Sequence, residues 1–319
     1  MLIMPYAQCS VLKTWSIEQA TLRLTRAVEP PTKQNSAKVG TGEIGMADEA
    51  GAPHTAMLGA AKARLREEGW CILPGVLDAQ RTAQALKCLW DAAEASERRG
   101  DATYVPMLDP NPSNVRVFCL MELDAIFLDL IQHPLAIEMV REVLGPTFSI
   151  SNFSANIARP GSRSMALHSD QSLLVPGPWA QPWSVNIIWC LTDATFENGA
   201  TLFIPGSHHW REHSDVPPDA DKLLRPFVAR AGSIVVMDGR VWHTSGANIT
   251  KDQDRALLFG YYSAPFLRSQ MNWNVGLSQK TQATLSPQMR EWLGLELIAN
   301  TALEIDLRYL DDRFAHSKT

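Results

Sequence analysis

The chain has 319 residues, 45% hydrophobic and 20% charged, with a formal net charge of −5. That length holds one large domain with an ample core, and the acidic balance argues against a nucleic-acid binder, which usually shows a basic excess. No run reaches the ~18 uninterrupted apolar residues of a membrane helix, and the opening "MLIMPYAQCSVLKTW" lacks the basic and long apolar regions of a secretory signal, so a soluble cytoplasmic protein is expected.

Residues 1–52 include "EPPTKQNSAKVGTGEIGMADEAGAP", rich in Pro, Gly and charge without a sustained apolar period. They are expected to form a disordered arm, with Met46 as an alternative start. Residues 53–319 then read as a single domain. "HTAMLGAAKARLREEG" has helical spacing and stops at Gly69; "WCILPGVL" is a short buried strand with a turn at Pro74-Gly75. In "DAQRTAQALKCLWDAAEASERRG" the residues Ala83, Leu86, Leu89 and Trp90 share one helical face, closed by Gly100. "LDAIFLDLIQHPLAIEMVREVLG" gives two helical pieces broken at Pro134. Residues 53–145 are thus expected to be helical in the main.

After Gly145 the pattern changes to short apolar runs: "FSISNFSANIA", "WSVNIIWCLT", "ATLFIPG", "GSIVVMDG" and "RALLFGYYS". Many short strands suggest a β-sandwich or barrel such as a jelly roll, about 146–268. Helices placed before strands, not between them, argue against a doubly wound fold. A C-terminal helical extension over 269–319 includes "SPQMREWLGL", capped by Ser286 with Pro287 at its first position. The five cysteines, Cys9, Cys71, Cys88, Cys119 and Cys190, are scattered without a CxxC pair. That argues against a disulfide framework or thiolate zinc site, and the cysteines read as small buried hydrophobes.

The polar residues of "SMALHSDQSLL" (164–174) stand in apolar company. On a strand, side chains two apart point the same way, so His168 and Asp170 can approach one metal ion. "MDGRVWHTSG" offers His243 as a distant third ligand. Two histidines and one carboxylate make a facial triad with open positions, the donor set of non-haem Fe(II); structural zinc sites are closed and rich in Cys. His-x-Asp alone often arises by chance. The next strand adds weight: Arg255 in "DQDRALLFGYY" lies on an expected buried strand, where an unpaired guanidinium is costly. A dicarboxylic cosubstrate chelating iron at one end and meeting Arg255 at the other explains both features.

The motifs "LHSDQ" (167–171), "ENGATLFIPGSHHW" (197–210), "GSIVVMDGRVWHTSGAN" (232–248) and "RALLFGYY" (255–262) occur in that order, preceded by "REEGWCILPGVLD" (66–78). Over roughly residues 55–275 the chain resembles the phytanoyl-CoA dioxygenase family of Fe(II)- and 2-oxoglutarate-dependent oxygenases. The resemblance implies a double-stranded β-helix (jelly-roll) core, mainly β with flanking helices, in which His168, Asp170 and His243 hold iron and are the catalytic residues. It implies that Arg255 binds the far carboxylate of 2-oxoglutarate, and that O2 is the second cosubstrate. Thr201 in "NGAT" matches a position that often contacts the cosubstrate, and Ser245 is a further candidate. Related enzymes often carry Gln just before the His-x-Asp, where this chain has Met165 and Ala166. The remaining cosubstrate contacts are therefore sought among Asn152, Asn156 and Asn186. Related halogenases replace the carboxylate ligand by a small residue, so Asp170 favours oxygen insertion or another oxidation over halogenation.

The expected reaction is hydroxylation, or another oxidation such as desaturation, of an unactivated C–H bond in a small, largely apolar molecule, in natural-product biosynthesis. Succinate and CO2 are released. An acyl-CoA 2-hydroxylase is the alternative substrate class, though no Lys/Arg cluster for a CoA tail stands near the motifs. A non-catalytic jelly-roll binding protein and a zinc hydrolase are the rivals from other classes, and neither explains Arg255. Trp179 and Trp183 in "LLVPGPWAQPW" could line a substrate pocket or bury their own loop, while Trp242 should pack away from its neighbour His243. Arg268, Asn272 or Trp273 could reach the rim. His208, His209 and His213 mimic a zinc helix but lack HExxH, and read as a structured turn. His54, His133 and His316 read as surface residues. The sequence leaves the oligomeric state open, a homodimer included.

Overall fold

The computed structural model describes residues 52–106 and 109–295. The expected N-terminal arm, Met46, Cys9 and residues 296–319 with His316 lie outside the described residues. Helix α1 (Ala52–Glu68) stops where the sequence places its Gly: Gly69 has φ +81 and donates its N–H to the Leu65 carbonyl. Strand β1 (Trp70–Leu73) follows directly. Helix α2 (Ala79–Arg99) starts on Asp78, whose side chain accepts from the Arg81 N–H at 2.7 Å, and closes at Gly100. Its buried stripe is Thr82, Ala85, Leu89, Ala92, Ala93 and Ser96, while Ala83 is exposed. The expected face was centred too far round the helix. Leu86 and Trp90 are only partly buried, at the stripe's margin.

Strand β2 (Asn114–Val117) was not expected. Four residues after a Pro- and Asn-rich turn give too short a pattern to register, so the segment 53–145 is less purely helical than its sequence suggests. Short helices α3 (Leu120–Leu123), α4 (Ala125–Ile131) and α5 (Pro134–Leu144) follow, the last begun by Pro134 at its first position. His133, expected at the surface, is half-buried and packs edge-on against Trp189 at 5.6 Å between ring centroids. Its place just before α5 turns it inward.

The remaining strands are β3 (Ser149–Ala158), β4 (Ser184–Cys190), β5 (Leu202–Phe203), β6 (Arg225–Pro226), β7 (Ile234–Asp238), β8 (His243–Thr244) and β9 (Arg255–Ser263). They form an antiparallel six-stranded sheet ordered β1-β7-β4-β9-β3-β2 and an antiparallel three-stranded sheet ordered β6-β5-β8. This is the jelly-roll type of core, mixed α and β, in which β1 and β2 from the helical part edge the large sheet. Helices α6 (Trp273–Gly276), α7 (Gln279–Thr284) and α8 (Pro287–Trp292) come last, with Ser286 capping α8 through the Met289 N–H.

Strand alternation gives the large sheet two different faces. One carries Cys71, Val115, Phe153, Ile157, Ile187, Trp189, Val236, Leu258 and Tyr262, and merges with the helices into the main core. The opposite face looks toward the small sheet. Its Trp70, Ile188, Cys190, Val235, Met237 and Leu257 join Phe203 and Phe227 in a second cluster, with the Trp70 and Phe203 rings 4.2 Å apart. On this inner face β9 also carries Arg255, Tyr261 and Ser263, opposite Ala158, Asn152 and Ser149 of β3. The interior between the sheets is therefore apolar at one side and polar at the other. Cys71 and Cys190 are buried, as expected, whereas Cys88 and Cys119 are only half-buried; all four are free thiols. No described helix is long and apolar enough to cross a membrane.

One glycine sets a close approach. Gly232 has φ +84, and a Cβ there would lie 2.4 Å from the Leu77 carbonyl oxygen, which belongs to the turn joining β1 to α2. Gly232→Ala is expected to destabilise the protein by at least ~1–3 kcal/mol, the cost of such backbone strain, read as a lower thermal midpoint.

Candidate active site

His168 and His243 sit directly opposite each other in an antiparallel bridge that extends the small sheet. The His168 N–H donates to the His243 carbonyl at 3.0 Å and the His243 N–H to the His168 carbonyl at 2.7 Å. This pairing places both rings on one side, with centroids 4.4 Å apart. Asp170, two residues on, joins them: its Oδ1 lies 3.9 Å from His168 Nε2 and 3.8 Å from His243 Nε2. The three donor atoms all lie within 4.8 Å of one another, the one such group of His, Cys, Asp or Glu found among the described residues. Donors around a cation at ~2.1 Å can be up to ~4.2 Å apart, so both carboxylate distances suit one shared ion.

Tautomer and orientation are set by the backbone. His168 Nδ1 lies 2.8 Å from the Ala166 carbonyl and His243 Nδ1 lies 2.9 Å from the Val241 carbonyl. A carbonyl only accepts, so each Nδ1 carries the proton and each Nε2 keeps a lone pair toward Asp170. Burial, and then the neighbouring His243 ring, holds the His168 imidazole down to about 4, against the opposing pull of Asp170. A neutral ring is the form that ligates a metal.

Asn186 on β4 of the large sheet donates from Nδ2 to Asp170 Oδ2 at 2.9 Å. It fixes the carboxylate and leaves Oδ1 turned to the histidines. Its amide nitrogen, expected at the cosubstrate, is engaged with the Asp170 carboxylate. Asn186→Ala is expected to weaken metal affinity by roughly 10–100-fold, the usual effect of removing a ligand's supporting partner, measured by metal titration. Ser245, also expected at the cosubstrate, accepts the Met165 N–H at 3.0 Å, while Thr244 donates to the Met165 carbonyl at 2.6 Å. Both pin the segment entering His168 to the one leaving His243. Gln171, not singled out in the sequence, is buried. Its Nε2 donates to the Gln181 carbonyl at 2.9 Å and its Oε1 accepts from the Trp183 N–H at 2.8 Å.

Arg255 is 1% exposed, and no ion pair to it occurs among the described residues. Nη2 reaches the Asn156 Oδ1 at 3.1 Å, Nη1 the Asn156 carbonyl at 3.5 Å, and Nε has no partner. Burial pulls its pKa down to about 10, which still leaves a cation at neutral pH. The Cys190 thiol beside it is pushed up to about 12 by burial, so it stays neutral and supplies no counter-charge. The nearby Arg116 on β2 has its own carboxylate: its Nε donates to both oxygens of the buried Asp109, at 2.8 and 2.9 Å. Arg116 and Asp109 were not expected; the alternation Asn114-Val115-Arg116-Val117 was the available signal. A buried, uncompensated guanidinium costs several kcal/mol unless an anion joins it, and its planar fork suits a carboxylate.

Thr201 is buried, on the same side of its chain as Phe203, which pairs with His243. Trp179 resolves toward packing. It is 3% exposed, its Nε1 donates to the Val175 carbonyl at 2.6 Å, and it shares a third apolar cluster with Trp242 and Ile204. A ring so enclosed is not available to a substrate. Trp183 is half-buried with its ring edge-on to Phe266 at 5.5 Å. Trp242 packs as expected. Trp273 is buried with its Nε1 donating to the Ile150 carbonyl at 2.7 Å, so it supports β3 and does not reach a rim; Asn272 stands at the N-terminal boundary of α6 without a side-chain capping bond. Asn152 donates to Gln270 Oε1 at 3.0 Å. His208 and His213 fall in two separate 3-10 turns; His208 contacts the Arg66 carbonyl and His213 packs on Trp179. None of these rings joins the metal group.

Residues 65–256 match the family model described as "Phytanoyl-CoA dioxygenase (PhyH)". The chain belongs to the phytanoyl-CoA dioxygenase family. All four residues of the expected site, His168, Asp170, His243 and Arg255, lie inside the matched span. "Dioxygenase af480" of Aspergillus fumigatus is 53% identical over 258 residues, covering 81% of this chain and 83% of that protein. "Fe(II)/2-oxoglutarate-dependent dioxygenase nvfF" of Aspergillus novofumigatus is 28% identical, covering 72% and 79%. Among solved structures, the "non-heme alpha ketoglutarate dependent carbocyclase SnoK from nogalamycin biosynthesis" superposes with a TM-score of 0.55 at 19% identity, over 72% of this chain and 91% of that one. This likeness shows the shared fold. The phytanoyl-CoA dioxygenase family member described here is thus an oxidoreductase of the dioxygenase class, and a purely binding role is set aside.

Proposed function

We propose that this dioxygenase holds Fe(II) on His168, Asp170 and His243, binds 2-oxoglutarate with its far carboxylate on Arg255, and oxidises an unactivated C–H bond of a small, largely apolar molecule of natural-product type. The substrate gains oxygen, or loses two hydrogens, while 2-oxoglutarate becomes succinate and CO2. The donor set suits the metal: two neutral imidazoles and one carboxylate, with no thiolate, leave positions for cosubstrates. The observation that carries the reading is Arg255, a buried cation without a counter-ion among the described residues, on the inner face of the large sheet. A zinc hydrolase would leave this cation unexplained.

Bound Fe(II), with 2-oxoglutarate and O2, supplies the oxidising power that a side chain cannot. The chain's residues do the rest. The Ala166 and Val241 carbonyls hold both imidazoles in the ligating tautomer. Asn186 orients Asp170, and Arg255 positions the dicarboxylate, with Thr201 as a further contact. The Trp70, Ile188, Val235, Met237 and Phe203 cluster keeps water out of the apolar side of the interior.

The test has two parts. Purified protein with Fe(II), ascorbate and 2-oxoglutarate should release succinate, and incubation with small-molecule extracts should yield species with one added oxygen or two fewer hydrogens by mass spectrometry. Absence of 2-oxoglutarate binding under anaerobic Fe(II) loading would sink the reading.

A further inference from the structure

Beside Asp170 the inner face of the large sheet carries a row of polar residues in register. Asn152 on β3 lies opposite Tyr261 on β9, and Tyr261 lies opposite Asn186 on β4. In the next row Ser263 lies opposite Ser184. Strand alternation turns all five side chains to the same interior. The Oδ1 atoms of Asn152 and Asn186 and the Ser263 hydroxyl are buried without a hydrogen-bond partner among the described residues. The Tyr261 and Ser184 hydroxyls have at most each other. Buried polar atoms are nearly always satisfied, because stripping them of water without replacement is costly. Two adjacent rows concentrate such atoms, and a polar group entering the interior would satisfy them.

Position and charge define that ligand. Ser263 is the last residue of β9 and Arg255 the first, so a dicarboxylate held by the guanidinium leaves the Ser263 and Ser184 row to another molecule. The rows contain no cation, and the Asp170 carboxylate stands beside them on Asn186. An anion seated in these rows would be buried without a group of opposite sign to pair with, which is costly. Burial first, and the Asp170 charge second, raise the Tyr261 phenol, so it remains an O–H donor. Asn152 Oδ1 can only accept. One donor and one acceptor side by side suit a hydroxyl, which uses both, or a carbonyl, which uses the donor.

Outside the rows the surface turns apolar. Trp183 immediately precedes Ser184 and packs on Phe266, which follows Ser263 by three residues and is 52% exposed. Leu173 and Leu174, just past Asp170, are 63% and 46% exposed.

We infer that Asn152, Tyr261 and Ser263, with Ser184, form the substrate subsite, and that it recognises an uncharged hydroxyl or ketone oxygen on an otherwise apolar molecule whose body lies against Trp183 and Phe266. This rests on the Fe(II)/2-oxoglutarate reading above and deepens it: the substrate is already oxygenated when it arrives, so a preceding oxidation or cyclisation that leaves an oxygen must supply it.

The probes are decalin, its alcohol, its ketone and its carboxylic acid, titrated calorimetrically into the wild-type protein and into Tyr261→Phe and Asn152→Ala. The alcohol and ketone are expected to bind about tenfold tighter than decalin, a difference of ~1.4 kcal/mol, with the acid weakest. Tyr261→Phe should remove the preference for both, and Asn152→Ala the preference for the alcohol over the ketone. Circular dichroism melts show whether each variant is folded, and Ser263→Ala replaces any that is not. Equal binding of decalin and its alcohol, strongest binding of the acid, or no binding of alcohol and ketone would each overturn the inference. Anaerobic binding of Fe(II) and 2-oxoglutarate to the wild type is measured separately; its failure would strike the parent reading, while its success with no oxygen preference would strike the subsite alone.

Discussion

Asp170→Ala is expected to reduce succinate formation from 2-oxoglutarate to background while leaving the fold intact. The carboxylate is one of three donors, and losing a donor must cost more than the roughly 10–100-fold that loss of a supporting partner costs in metal affinity. Stability should barely change, because Asp170 is partly solvated and its described partners are His168, His243 and Asn186. Removing it leaves Asn186 with both ends of its amide unpaired, since Oδ1 already lacks a partner. A modest fall in melting temperature is the expected price, of order 1 kcal/mol. Metal titration, succinate assay and thermal melt together check the prediction. A variant with wild-type metal affinity and turnover would remove Asp170 from the site.

Arg255→Met should separate ligand binding from folding in the opposite way. Truncating one member of a buried charge pair typically costs 2–5 kcal/mol, so 2-oxoglutarate affinity is expected to fall roughly 30- to several-thousand-fold. In the ligand-free protein, by contrast, the guanidinium is already uncompensated. Replacing a buried charge by an apolar chain of similar length is often neutral or stabilising, and the loss of the Asn156 Oδ1 contact works against that gain. The free variant is therefore expected to melt close to the wild type. The stabilisation that added 2-oxoglutarate confers on the Fe(II)-loaded protein should vanish in the variant, because ligand stabilisation follows occupancy. Arg255→Lys should recover only part of the affinity, since an ammonium lacks the planar fork. A strong loss of stability in the free Arg255→Met protein, with unchanged 2-oxoglutarate affinity, would mean that Arg255 is a structural residue.

The two effects differ because the two sites face different solvents. Asp170 meets its partners near the open side of the interior, at 18% side-chain exposure. Arg255 lies fully enclosed, where each unmet hydrogen bond weighs more. The same contrast explains which roles were legible beforehand. An Arg on a strand that reads as buried is conspicuous by its cost, and a His-x-Asp pair by its spacing. The polar residues of the inner face were not conspicuous. Asn152, Ser184, Tyr261 and Ser263 are ordinary residues in strands, and their shared orientation arises only once β3, β9 and β4 are paired in register.

Local patterns account for much of the architecture. Gly69, Gly100, Pro134 and Ser286 mark helix ends because each has a backbone or capping property that acts within one turn. Runs of alternating or continuous apolar residues mark β3, β4, β7 and β9 for the same local reason. The His168, Asp170 and His243 group was legible too, His168 and Asp170 by period and His243 by the company of its motif. The three-dimensional fold alone decided how these pieces meet. Strand β2 brings Arg116 to the interior through a four-residue pairing too short to leave a pattern. Asn186 joins Asp170 because β4 passes beside the turn that follows the His168 bridge. Trp179 packs on Trp242, because the loop that carries it folds back onto the segment around Arg211. Periodicity acts along the chain, and contacts between sheets depend on register and on which face turns inward. The chemistry of this protein was therefore written in a few residues of its sequence, while the shape of the space around them is a property of the folded sheets.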